Sequence, residues 1–159
     1  MNAALLGMAA LALGFASGLR AFTPLALSCW IALWGWIPLG GTRLAFLGTN
    51  VGAVIVSVLA VGELIGDKLP VTPSRTTAGP LGARVVTGAL AGTALSIGAG
   101  QAWLIGLLCG AAGAVAGAFA GFRARHFLVT RLGVRDLFVA IAEDLATIVL
   151  ALAIFAWVL

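Results

Sequence analysis

Apolar residues run almost unbroken from Ala3 to Leu39 and then recur in four stretches of helix-spanning length, separated by short polar, glycine- or proline-rich breaks. One helix over residues 3–39 would be roughly 55 Å long against a hydrocarbon core of about 30 Å, so the chain must turn inside it. The turn is expected at Ser17-Gly18-Leu19-Arg20-Ala21-Phe22-Thr23-Pro24, where Gly18 and Pro24 interrupt helix and Arg20 needs an interface or a partner. This predicts a short helix over 3–18 and a second over 22–38, ending in Trp30, Trp34 and Trp36, residues suited to a membrane interface. Further spans are expected at 47–66, 83–99, 103–122 and 137–158. The link 69–82, holding Pro70, Pro73 and Pro80, reads as extended and irregular. Gly98-Ala99-Gly100-Gln101 reads as a tight turn.

The expected fold class is therefore all-α: one integral-membrane domain over residues 1–159, a polytopic bundle of about six short spans. Five spans are the alternative, with residues 3–39 forming a broken or re-entrant segment. Composition agrees. Hydrophobic residues make up 62% of the 159 residues and charged residues 9%, whereas a soluble domain carries about 25% charge. Mean hydropathy is +1.18. The N-terminus lacks the basic segment of a secretory signal, and apolar sequence resumes directly after Phe15-Ala16-Ser17-Gly18, so a retained helix is expected.

The formal charge of +4 does not indicate nucleic acid, because the basic residues are few and partitioned. With six spans, Arg20, Lys68, Arg75, Arg84, Arg123, Arg125, Arg131 and Arg135 fall on one side and only Arg43 on the other. By the positive-inside rule the basic side is cytoplasmic and both termini lie opposite, in a cell (inner) membrane. Cys29 and Cys109 sit in apolar runs without metal-ligand spacing and are expected to pack rather than form a disulfide.

Two acidic residues stand out within this pattern. Glu143 and Asp144 are adjacent inside an apolar span, where a carboxylate at the bilayer centre costs roughly 2.5–3.5 kcal/mol on insertion scales. The other acids are Glu63, Asp67 and Asp136. Glu63 and Asp67, four apart, share a helix face, as do Asp136 and Glu143, whereas Asp144 points about 100° from Glu143. Arg20 and Arg84 are expected at the same depth. Either Glu143 and Asp144 pair with Arg20 and Arg84 to lock the bundle, or the set binds an ion, a proton or a substrate. In the link, Lys68, Arg75 and nearby hydroxyls suit a phosphate or carboxylate, and equally a lipid headgroup.

Other features are less specific. Gly18-Leu19-Arg20-Ala21-Phe22-Thr23 is echoed by Gly82-Ala83-Arg84-Val85-Val86-Thr87, consistent with parallel repeats. Gly106, Gly110, Gly113, Gly117 and Gly121 place small residues at four-residue spacing, as do Gly88 and Gly92. They provide a seam for close helix packing, inside the chain or between copies. His126, expected in a loop among arginines, reads as an interfacial residue. No HExxH, nucleotide-binding or nucleophile motif occurs, so no cofactor is indicated and enzyme activity is unsupported.

Taken together, Gly18-Leu19-Arg20-Ala21-Phe22-Thr23-Pro24, then Glu63, Asp67-Lys68-Leu69-Pro70, Pro73-Ser74-Arg75, Gly82, Arg84, Gly88 and Glu143-Asp144 resemble a family of small bacterial integral-membrane proteins carrying a domain of unknown function. The resemblance brings no activity or substrate with it. It implies that the charged set belongs to one pattern. The reading that absorbs most features is a small permease or channel. In it Glu143, Asp144, Glu63 and Asp67 bind a cation or proton, and Arg20, Arg84, Lys68 and Arg75 balance them or hold a small anion. A lipid-binding or structural bundle with buried ion pairs is the alternative. A third reading, an enzyme acting on a lipid headgroup, would need a cleft with a nucleophile or metal near Glu143.

Overall fold

The computed structural model describes residues 2–67 and 76–158. Among them the chain forms six α-helices: α1 (Ala3–Leu19), α2 (Phe22–Leu33), α3 (Asn50–Gly66), α4 (Ala78–Gly98), α5 (Trp103–Thr130) and α6 (Asp136–Val158). A 3₁₀ turn, Ala45–Gly48, precedes α3. Helices α4, α5 and α6 are long and apolar enough to cross a membrane, while α1, α2 and α3 are shorter apolar helices. This is a membrane-helix protein, and its large exposed side chains are correspondingly apolar, among them Val54, Val58 and Ile65 on α3 and Leu145, Val149 and Leu152 on α6.

Helix ends follow local chemistry. Asn2 caps α1 by accepting from the Leu5 N–H at 2.9 Å. The helix stops at Arg20, whose backbone is extended (φ −136°, ψ 114°). Helix α2 ends at Leu33, five residues before the expected 38. There Gly35 takes a positive φ of 83° and lets the Gly35 and Trp36 N–H groups close onto the Ala32 and Ile31 carbonyls. Helix α4 begins at Ala78, not at 83, so the C-terminal part of the expected irregular link is helical. Pro80 is third in α4, where the backbone N–H has no helical partner to lose. The rest of that link, including Lys68, Pro70, Pro73 and Arg75, lies outside the described residues. Helix α5 runs on past the expected 122 to Thr130, with no Gly or Pro to stop it before Gly133, which places Arg123, Arg125 and His126 on a helix rather than a loop.

Chain direction alternates. Gly88 and Gly92 of α4 oppose Gly110 and Gly106 of α5, so that pair is antiparallel, while Gly14 and Gly18 of α1 oppose Gly110 and Gly117, so α1 runs parallel to α5. Helix α2 returns along the bundle, since Ile37 beyond its end meets Gly98 at the end of α4. Helix α3 is antiparallel to α2: Trp30 Nε1 donates to Ser57 Oγ at 3.0 Å, and Glu63 reaches the start of α2. The two cysteines are free, with Cys29 buried.

The tightest packing joins α1, α4 and α5. Gly106 and Gly110 face α4, and Gly113 and Gly117 face the backbone of α1 at Leu11 and Phe15, so one stripe of α5 is gripped from both sides within the chain. At Gly110 a Cβ would run into the Gly88 carbonyl, an approach that only glycine permits. Gly121 is also buried. Helix α3, by contrast, packs mainly on α2, and α6 touches α5 only lightly.

Candidate functional site

At the end of the bundle where α1, α3 and α5 finish and α2, α4 and α6 begin, charged side chains meet. The break between α1 and α2 turns the Arg20 guanidinium inward, where it is fully buried. Arg20 Nη1 pairs with Asp67 Oδ2 at the end of α3. Its Nε lies 2.6 Å from Asp144 Oδ1 on α6, and its Nη2 donates to the Ala140 carbonyl at 3.4 Å. One cation thus bridges α3 and α6.

Glu63 has a different task. Its two carboxylate oxygens accept from the Ala21 and Phe22 backbone N–H groups at 2.7 and 2.9 Å. Helix α2 has no side-chain cap of its own, so a carboxylate from α3 satisfies its first donors and lies at the positive end of its dipole. Glu63 Oε1 is also 3.4 Å from Arg84 Nη2, which lies 3.8 Å from Asp67 Oδ2. Asp67 is therefore shared by both buried arginines. Arg84 also donates to the Pro80 carbonyl at 3.1 Å.

A second group sits beside the first. Arg125 of α5 donates from Nε and Nη2 to the two oxygens of Asp136, at 2.8 and 2.7 Å, and from Nη1 to Glu143 Oε2 at 3.4 Å. This corrects the expected pairing of both adjacent acids with Arg20 and Arg84. Asp144 meets Arg20, but Glu143 meets Arg125. The reason is angular: neighbours on a helix point about 100° apart, so the two carboxylates face different helices. Asp136 and Glu143, seven apart, share Arg125 as their common face predicts.

Of the eight residues expected to bind an ion or substrate, the structure brings Arg20, Glu63, Asp67, Arg84 and Asp144 together and sets Glu143 in the adjoining group. Lys68 and Arg75 lie outside the described residues. The sequence reading missed Arg125 as a participant. It also missed a layer of hydroxyls: Ser17, Thr23, Thr87 and Thr147, each three residues from Arg20, Arg84 or Asp144, and all buried. They lie about one helical turn, roughly 5 Å, deeper into the bundle. Ser17, Thr87 and Thr147 donate to the Leu13, Ala83 and Glu143 carbonyls of their own helices. Their spacing from the charges was the available signal.

The charges are distributed unevenly among the helices. The three arginines in these ion pairs belong to the glycine-packed body: Arg20 ends α1, Arg84 lies on α4 and Arg125 on α5. All five acidic residues of the chain lie on α6 or on α3 and its C-terminal cap. The echo between residues 18–23 and 82–87 does not extend to backbone shape, since the first crosses a helix break and the second is continuous helix. Among the described residues, no three His, Cys, Asp or Glu side chains form a metal-ligand set.

Residues 8–159 match the family described as Domain of unknown function (DUF4126). No curated protein and no solved structure matches the chain.

Proposed function

We propose that this chain, which belongs to the DUF4126 family, is a small permease of the bacterial inner membrane whose buried ion pairs form a cation- or proton-responsive gate. The observation that carries this reading is the segregation of charge between two sets of helices. Arginines belong to the rigid α1–α4–α5 body, and carboxylates to α3 and α6, which have less backbone packing to hold them. A cation or proton on Asp67, Asp144, Glu63 or Glu143 competes with an arginine for the same oxygens. Its binding loosens α3 and α6 from the body and opens a route toward the hydroxyl layer beneath. Arg20 and Arg84, with Lys68 and Arg75, then become available to a small anion. Intramembrane ionisable residues commonly mark such paths. The basic side faces the cytoplasm and both termini face away, following the distribution of Arg and Lys.

The test is proton flux into proteoliposomes loaded with a pH-sensitive dye, driven by a potassium diffusion potential or an opposed sodium gradient. Native protein is expected to dissipate the gradient faster than protein-free vesicles, and the Arg20→Leu/Asp67→Asn/Asp144→Asn variant, which leaves no partner of that pair stranded, to lose that flux while remaining folded. Native protein that matches empty vesicles under both gradients defeats the reading.

A second reading, a structural bundle without transport, is favoured by one observation: each of the five acidic residues lies in an ion pair with an arginine. In that case native protein gives no flux above empty vesicles, and the Asp67→Asn/Asp144→Asn variant, which strands Arg20, only lowers the melting temperature.

A further inference from the structure

Helices α5 and α6 diverge enough to leave an open crevice of about 330 Å³ between them, floored by Phe15 and Leu19 of α1. Gly121 and Ala124 on α5 and Ala142 and Ala146 on α6 give its walls small side chains, with Leu128 and Val139 nearer the α5–α6 turn. Its volume lies in the range of roughly 300–1,000 Å³ usual for small-molecule sites. The Arg125–Glu143 pair crosses it. Beyond that pair, towards the α5–α6 turn, both walls end in arginine. Arg131 lies seven residues after Ala124 and three after Leu128, and its N–H still bonds to the Phe127 carbonyl, so it continues the crevice-lining stripe of α5. Arg135, the residue immediately before α6, lies four residues before Val139 and seven before Ala142, with its guanidinium 5.9 Å from the centroid of the Phe138 ring. Gly133, with φ +67°, lies in the short turn that separates the two in sequence. Both arginines are exposed, and among the described residues neither forms an ion pair. The acids near them, Asp136 and Glu143, are engaged by Arg125.

We infer that this crevice is a binding site for one anionic phospholipid, with its phosphate between Arg131 and Arg135 and an acyl chain along the Ala/Gly walls onto Phe15 and Leu19. An apolar trough alone would accept any chain. The paired arginines at its mouth select for negative charge, and the small wall residues leave room for a methylene chain that larger side chains would fill. The crevice shares Arg125 and Glu143 with the gate proposed above, but lipid retention is read without any flux, so loss of the lipid preference and loss of transport are separate outcomes.

The experiment is native mass spectrometry of protein taken from vesicles of equal phosphatidylglycerol and phosphatidylcholine, with bound lipid counted and identified. Native protein is expected to retain one phosphatidylglycerol in preference to phosphatidylcholine. With two arginines each contributing about fivefold near an anionic surface, that preference is on the order of tenfold or more. Arg131→Gln/Arg135→Gln removes the preference while still holding a lipid of either kind, and Ala142→Phe, which fills the crevice, abolishes retention. Since Arg131 and Arg135 are exposed, their variant tests the idea even where Ala142→Phe does not fold. Equal retention of the two lipids by native protein, an unchanged preference in the arginine variant, or displacement of the lipid by excess inorganic phosphate would overturn the assignment.

Discussion

Two regions hold this molecule together by opposite means. In the α1–α4–α5 body, helices meet through glycines such as Gly14, Gly92, Gly106 and Gly110, with backbone against backbone and little room for a side chain. Around α3 and α6, the attachment runs through charged side chains that reach across from helices packed more thinly. Lipid offers no hydrophobic drive for helices to associate, so a membrane bundle relies on close packing or on polar pairs. Here the two devices are separated in space. One region is thus a backbone-packed frame, and the other is joined to it by charge.

That contrast can be broken most severely at Gly110. Leucine there would collide with the Gly88 carbonyl, and the loss is expected to exceed about 4 kcal/mol, the range of exceptional single-site effects. The measurement is thermal unfolding in micelles, followed by labelling of the buried Cys29 thiol. A mild effect would mean that the body does not serve as the frame.

Arg20→Leu comes next. It strands Asp67 and Asp144, and breaking a buried pair by removing one partner costs about 3–5 kcal/mol. The sharper measurement is the triple variant Arg20→Leu/Asp67→Asn/Asp144→Asn, which should regain much of that stability because no buried charge is left over. If the triple variant is as unstable as Arg20→Leu, the loss lies in packing and not in charge.

Glu63→Gln should cost roughly 1–2 kcal/mol, the scale of a lost helix cap. Hydrogen exchange at Ala21 and Phe22 should rise while exchange in α4 stays unchanged. The smallest effect is expected at Asp136→Asn, about 1 kcal/mol or less, because Asp136 is 57% exposed and Arg125 keeps Glu143 as its partner. A loss as large as that of Arg20→Leu would show that the second group bears as much of the assembly as the first.

Much of the frame was legible in the residues themselves. The length of the apolar run 3–39 demanded a turn, though it falls at Arg20-Ala21, with Gly18 inside α1 and Pro24 third in α2, and the glycine spacing on α5 marked the face that two helices grip. The depth of the charges was legible too, because position along a helix converts directly to distance along its axis. What could not be read was which helix lies beside which. Glu143 and Asp144 differ by one residue and by about 100°, and only the order of helices around the bundle assigns them to Arg125 and Arg20. Helix ends were misjudged where the deciding feature was tertiary or conformational: Gly35 ended α2 early, and Pro80 fell where a helix tolerates it.

The remote cap on α2 also bears on biogenesis. At twelve residues α2 is roughly 18 Å long, well short of a hydrocarbon core of about 30 Å, and its first N–H groups are satisfied by Glu63, which is synthesised some forty residues later. When α2 leaves the ribosome it therefore lacks both the length and the capping group to settle alone, and α1 to α3 are expected to integrate as one unit. Chains truncated after Leu33 should remain extractable from membranes by alkali, while chains truncated after Asp67 should resist extraction. Resistance that arises only once Glu63 is part of the chain would make its carboxylate a late-arriving latch on α2.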